Sequence, residues 1–255
     1  MQTSAVIEFR DVSYCVANTK VVSDLNLQVH RGETLMLLGR SGSGKTTTLK
    51  LVNRLLSPTF GEVRVNGASN SEADVIQLRR SIGWVIQEAG LFPHFTVERN
   101  IGLVPKIAGW PDERVRARVP ELLQLVGLAP EMASRYPHQL SGGQRQRVGV
   151  ARALAADPEI LLMDEPFGAL DPLTRDELQR EFLSLQRALH KTVVFVTHDL
   201  REAFRLGSRI ALMEAGRLVT VLTPQEFAGS TDPWASAYVR AFGEGLESSG
   251  NRGPS

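Results

Sequence analysis

The run GRSGSGKTT (39–47) holds the residues best suited to chemistry in this chain. Gly39 to Thr46 fits G-x-x-x-x-G-K-[ST], with the apolar run TLMLL (34–38) leading in and a helical pattern from about Gly44 to Leu56 leading out. Strand, glycine loop and helix in that order are the setting in which this pattern holds nucleotide phosphates. Gly39, Gly42 and Gly44 let the backbone curl so that its N–H groups point at phosphate oxygens. Lys45 is expected to reach the β- and γ-phosphates, and Thr46 to place its hydroxyl on Mg²⁺. Arg40, Ser41, Ser43 and Thr47 complete the expected contacts to the nucleotide.

Three further stretches have chemical potential. ILLMDEP (160–166) ends an apolar run in two acids, about 120 residues after the glycine loop. Asp164 is expected to hold the magnesium, directly or through water, and Glu165 to polarise the attacking water. An acid pair at a strand end is also a common turn, and its place after a glycine loop favours catalysis. His198 follows the apolar run TVVFVT and is placed to contact a γ-phosphate. A lone histidine at a strand end is ordinarily structural, so the residues alone leave both readings open. Finally, YPHQLSGGQRQRVGVARAL (136–154) opens a helix with a serine and two glycines. Unpaired N–H groups and the helix dipole would attract an anion there, yet this second phosphate grammar has no lysine.

The elements that must position these residues alternate strands and helices. Leu25, Leu27 and Val29 alternate with Asn26, Gln28 and His30, so the first thirty residues read as antiparallel strands with one wet face. GEVRVNG (61–67) reads as a short strand ending in an Asn66-Gly67 turn, and Ser81 to Ile86 as another. From about Glu88 to Ala156 helical patterns take over. Pro111, Asp112 and Glu113 mark a helix start, and Pro120 is expected to kink or restart that helix. Strands return at 159–164 and 192–197 around a helix near Arg175 to Leu189. A hairpin, RIALMEAGRLVTVL, then two short helical segments and a disordered tail of about a dozen residues finish the chain.

Composition bounds the rest. The chain has 255 residues, 42% hydrophobic, with 29 basic and 28 acidic side chains, so it can fill a core and has no global field drawing it to nucleic acid. The single cysteine excludes an intrachain disulfide and suits a reducing cytosol. MQTSAVIEFRD is not a signal peptide, and no apolar run approaches the ~20 residues of a membrane span.

Glycine loop, acid pair and histidine in that order, with LSGGQ (140–144) after the first, resemble the ATP-binding cassette family over about residues 6 to 225. The resemblance implies an α/β P-loop NTPase (RecA-like) core with an antiparallel β subdomain and a helical insertion. Its expected parts are an ATP-binding core with the antiparallel subdomain (1–87 and 157–225), a helical signature subdomain (88–156) and a short C-terminal extension (226–255). It implies that Gln87 contacts the metal and the insertion, that Tyr14 stacks on adenine, and that Asp171 carries signals between subunits. The family more often has serine where Gly168 stands. It also answers the missing lysine: Ser141, Gly142, Gly143 and Gln144, with Asp171, are expected to close on the ATP held by a second copy of the chain.

Three kinds of cassette protein compete: an importer subunit, an export or lipoprotein-release ATPase, and a soluble DNA-repair or translation ATPase. The third needs coiled-coil or zinc insertions or a second cassette, which are not in this sequence, and no nucleic-acid partner is expected. IGWVIQEAGLFPHFTVERNIGLVPKIAGW (82–110) is similar to osmoprotectant importers of glycine betaine, choline or carnitine, although GLFPHFTV also occurs in importers of amino acids and other small solutes. Leu91, Phe92 and Phe95 read either as core packing or as an apolar groove for a membrane subunit's helix. Many osmoprotectant ATPases continue into paired CBS regulatory domains. This sequence ends soon after DPWASAYVRAFGEGLESSG, so gating through such domains is not expected. The implied partners are a second ATPase copy, integral-membrane permease subunits and, indirectly, a solute-binding protein, with the chain peripheral on the cytoplasmic membrane face.

Overall fold

The structure is a computed structural model that describes residues 5–247. Along the chain run β1 (Ala5–Val16), β2 (Thr19–His30), β3 (Thr34–Leu38), α1 (Lys45–Val52), β4 (Phe60–Val65), β5 (Ala68–Ser69), α2 (Val75–Ser81) and β6 (Ile82–Val85). Then follow α3 (Val97–Ile107), α4 (Asp112–Leu125), α5 (Gly142–Leu154), β7 (Ile160–Asp164), α6 (Pro172–Leu189), β8 (Thr192–Thr197) and α7 (Leu200–Leu206). The hairpin β9 (Arg209–Glu214) and β10 (Arg217–Leu222) precedes α8 (Pro224–Ala228) and α9 (Pro233–Glu247).

Two sheets form. One is four-stranded and antiparallel in the order β2-β1-β4-β5; the other is six-stranded in the order β10-β9-β3-β8-β7-β6. In the second, β9, β3, β8, β7 and β6 are parallel and β10 is an antiparallel edge. Its unbroken apolar runs follow from cover on both faces. Leu35, Leu37, Leu162, Val194 and Val196 face the antiparallel sheet and α1, where they meet Ile7, Leu25 and Leu49. Met36, Leu38, Met163 and Phe195 face the helices, where they meet Ile101, Leu122, Val148 and Phe182.

Asn66 and Gly67 both have positive φ (51° and 78°), as does the Ala215-Gly216 pair (46° and 78°). Two such residues between antiparallel strands make the turn whose twist matches theirs, here joining β4 to β5 and β9 to β10.

The structure departs from the sequence reading at α1, α4 and the last helix, and it adds α2, which the sequence reading lacks. Pro120 does not restart α4, which is continuous from Asp112 to Leu125. An interior proline costs about 3 kcal/mol, whereas burying Val115, Val119, Leu122 and Leu123 stabilises the same helix by about 6 kcal/mol or more. Pro120 also lies on the exposed face. Helix α1 ends at Val52 rather than Leu56, because the buried Asn70 donates to the carbonyls of Leu51 (2.7 Å) and Val52 (3.1 Å) and Arg54 turns the chain at φ 54°. The last helix is longer than expected, reaching Glu247; residues 248–255 of the expected tail lie outside the described residues.

Candidate functional site

Strand β3 ends against the hairpin of β9 and β10, which fixes the glycine loop from behind. A Cβ on Gly39 would stand 2.2 Å from the Met213 carbonyl, and one on Gly44 would stand 2.8 Å from that of Val21. Gly44 also has φ 97° and directly precedes α1. Both positions therefore require glycine. The loop bends around the Lys45 ammonium, which donates to the carbonyls of Gly39 (2.8 Å) and Arg40 (2.7 Å). Burial pushes the Lys45 pKa down, while the charges of Glu165, Asp164 and Glu214 oppose that shift. Glu214 was not foreseen. Its only signal is an acid closing an apolar strand, the same signal as at Asp164.

The parallel register brings the other strand ends beside this loop. Thr46 Oγ1 donates to Asp164 Oδ1 at 2.9 Å. Burial raises the Asp164 pKa, countered by that bond and reinforced by neighbouring Glu165. Glu165 stands at φ 44°, a strained conformation for a residue with a side chain, with its N–H on the Val196 carbonyl at 3.1 Å. Its Oε2 lies 3.1 Å from His198 Nδ1. The amide nitrogen of Gln87 lies 3.4 Å from where a Gly168 Cβ would stand, and Glu165 Oε2 lies 3.6 Å from that point. A cleft of about 160 Å³ is lined by Ser41, Gly42, Gly44, Lys45, Thr46, Thr47 and Glu165. Glycine loop, acid pair, histidine and Gln87 thus share one neighbourhood, with Arg40 and Ser43 bonded to the ammonium.

Tyr14 lies one strand away, half-buried against the core and opposite Val22, whose side chain adjoins Gly44. Ser141 and Gln144 form a reciprocal cap at the start of α5: Ser141 Oγ accepts from Gln144 N (3.2 Å) and Gln144 Oε1 accepts from Ser141 N (3.0 Å). A Cβ on Gly143 would meet the Thr174 methyl at 2.5 Å, so α5 begins hard against the first turn of α6. Asp171 caps α6 through the Thr174 N–H at 3.1 Å, and Thr174 holds its pKa low. Among the described residues no hydrogen bond joins 141–144 to the glycine loop. The start of α5 and the glycine loop are thus two separate glycine-bearing helix starts within one chain.

The oxygen donors of Thr46 and Asp164, with the Gln87 amide nearby, are hard ligands of the kind Mg²⁺ takes. Among the described residues no cluster of three or more His, Cys, Asp or Glu would hold a metal unaided. Mg²⁺ is ordinarily held by one or two carboxylates together with substrate phosphates, so the pair fits. Of the apolar candidates, Phe92 is 41% exposed and does not pack in the core, while Leu91 packs against it in part. Asn100, fully buried, fixes this loop by accepting from Phe92 N (2.8 Å) and donating to the carbonyls of Phe92 and Phe95. Among the described residues no helix is long and apolar enough to cross a membrane.

A glycine loop between a parallel strand and a helix, facing an acid pair at the end of a strand two places along the same sheet, defines a P-loop nucleotide-binding protein. More narrowly, the chain belongs to the ABC transporter family, whose model matches residues 22–168. It is 55% identical over 223 residues to the glycine betaine/carnitine/choline transport ATP-binding protein OpuCA of Bacillus subtilis (strain 168), covering 88% of this chain and 58% of that protein. It is 50% identical over 237 residues to the glycine betaine uptake system ATP-binding protein YehX of Escherichia coli (strain K12), covering 93% of this chain and 76% of that one. The chain spans little more than half the length of OpuCA. Among solved structures, the dimeric post-hydrolysis state of the ATP-binding cassette MJ0796 bound to ADP and Pi matches with a TM-score of 0.77 at 34% identity, covering 86% of this chain and 98% of that chain.

Proposed function

We propose that this chain is the ATP-hydrolysing subunit of a bacterial importer that takes up a small quaternary amine such as glycine betaine, choline or carnitine. The observation that carries the chemistry is the Glu165–His198 pair at 3.1 Å beside the Thr46–Asp164 bond at the mouth of the glycine loop. The solute class rests on relatives named for betaine, choline and carnitine transport. Those names favour this reading over amino-acid import, export or nucleic-acid work.

Lys45 exchanges its loop carbonyls for the β- and γ-phosphates, bringing charge into a site that already shields it from water. Thr46 and Asp164, with Gln87, would hold Mg²⁺, which when bound neutralises phosphate charge. Glu165 accepts a hydrogen bond from the water that attacks the γ-phosphorus, and His198 fixes that carboxylate and faces the γ-phosphate. The P–O bond to ADP breaks as the new one forms. Tyr14 provides the adenine platform. Ser141 to Gln144 and Asp171 close on the ATP of a second copy, so a homodimer sandwiches two nucleotides. The chain sits on the cytoplasmic membrane face, where Phe92 and Phe95 receive a permease helix and closure of the dimer moves it. A solute-binding protein delivers the cargo from the other side.

Glu165→Gln tests the reading, because it leaves the phosphate contacts and removes the base. ATP binding is expected to persist while hydrolysis falls by about 10²–10⁴-fold. Normal hydrolysis would sink the assignment. Uptake of labelled choline or glycine betaine by cells carrying the chain with its permease tests the cargo; loss of that uptake in Lys45→Ala cells is the expected result.

A further inference from the structure

A buried carboxylate lies directly behind the His198 turn, lining one small cavity with Glu165 but hydrogen-bonded to neither the glycine loop nor the acid pair. Glu202 of α7 is 6% exposed, and both of its oxygens accept hydrogen bonds. Thr197 Oγ1 donates to Oε2 at 2.6 Å and Gln179 Nε2 donates to Oε1 at 3.1 Å. The Thr197 hydroxyl in turn accepts from Asp199 N at 3.0 Å. His198 stands between those two residues. Its side chain is 63% exposed, with Glu165 as its hydrogen-bond partner. Surrounding packing therefore does not fix the imidazole; its bond to Glu165 and the backbone turn that bears it do.

We infer that Glu202 is a positioning residue: through the Thr197 hydroxyl it locks the 197–199 turn and so aims His198 at Glu165. This rests on the proposed ATPase reading. The bonds have a fixed direction. Thr197 spends its one proton on Glu202, a charge-assisted bond that only an acceptor at position 202 can receive, and uses a lone pair for Asp199 N. Gln179 cannot swing away to release the carboxylate, because its own Oε1 accepts from Arg205 Nη1 at 2.9 Å and Arg205 is held by Asp176 at 2.5 Å. The turn is thereby tied to α6, the helix that Asp171 caps. A carboxylate at this depth is a poor way to stabilise a fold, since an apolar side chain of like size would pack there without the desolvation cost.

Glu202→Gln keeps the shape, removes the charge that strengthens the Thr197 bond, and leaves one acceptor facing two donors, Thr197 and Gln179. In the full chain with Mg-ATP, kcat is expected to fall about tenfold with KM for ATP within about twofold of the parent. The imidazole NMR signal of His198, one of five histidines, is expected to shift while those of His30, His94, His138 and His190 stay in place. Unchanged kcat overturns the inference, and so does a fall in kcat with the His198 signal unmoved. Should Glu202→Gln not fold, Thr197→Val and Thr197→Ser put the same question. Valine is expected to reproduce both effects and serine neither; equal behaviour of the two overturns the inference. Glu165→Gln runs alongside: if it hydrolyses ATP normally the proposed function fails, whereas a dead Glu165→Gln with an unaffected Glu202→Gln removes this inference alone.

Discussion

Gly168 stands beside Gln87 and Glu165, and the space around it is permissive. A Cβ there would lie 3.4 Å from the Gln87 amide nitrogen and from the Glu165 carbonyl, ordinary van der Waals distances. Gly168→Ser is therefore expected to keep ATP turnover within about twofold, as a surface change without clash should. Gly39→Ala is the opposite case. Its Cβ would stand 2.2 Å from a backbone carbonyl that β9 holds in place, so the loop must deform. Loss of fluorescent-nucleotide binding by the folded variant is the expected outcome; retained affinity would mean that the hairpin yields. Lys45→Ala should also lose tight binding, for an electrostatic reason rather than a steric one. A filter-binding titration distinguishes both from Glu165→Gln, which is expected to bind and not turn over.

Among the elements, α4 carries the clearest prediction. Pro120 is exposed, offers no N–H to its helix, and is tolerated because the opposite face is buried. Pro120→Ala is expected to raise stability by about 1–3 kcal/mol, read as a later denaturant midpoint with unchanged slope. The same helix shows where sequence reasoning stopped. Period and capping signals located α4 and both strands that end at the acid pair and the histidine, because each element is long or wholly apolar. The cluster of Lys45, Thr46, Asp164, Glu165 and His198 was legible for one reason: each residue begins a helix or ends a strand of the parallel sheet, and such ends converge. Asn70, Glu202 and Glu214 were not. Each is a single polar residue within or beside an apolar pattern, and what gives it meaning is a partner on another element. Helix α2 was missed because its seven residues bury only Leu78, too little to set a period.

At the scale of the whole molecule, the two glycine-bearing helix starts offer a test that neither half can pass alone. On the proposed closure in trans, Lys45→Ala would damage the holding surface and Ser141→Arg the closing one, so each pure variant dimer would have two defective sites. In a mixture, a heterodimer has one doubly damaged site and one intact site. ATPase activity above either variant alone, rising with total protein concentration, is the expected result. Activity that stays at the single-variant level after demonstrated subunit exchange would count against closure in trans. A linked pair with one wild-type half distinguishes that outcome from two sites that must fire together.

The contact between Gly143 and Thr174 has a mechanical meaning. Ser141 and Asp171 begin different helices, yet a Cβ on Gly143 would stand 2.5 Å from the Thr174 methyl, so those beginnings leave no room for a side chain between them. On the proposed closure over a second copy's ATP they are, in the language of machines, one jaw with two teeth, not two fingers. A larger residue at position 143 would act as a shim between the teeth, and its cost should appear in how cleanly the jaw shuts rather than in how tightly either nucleotide is first held.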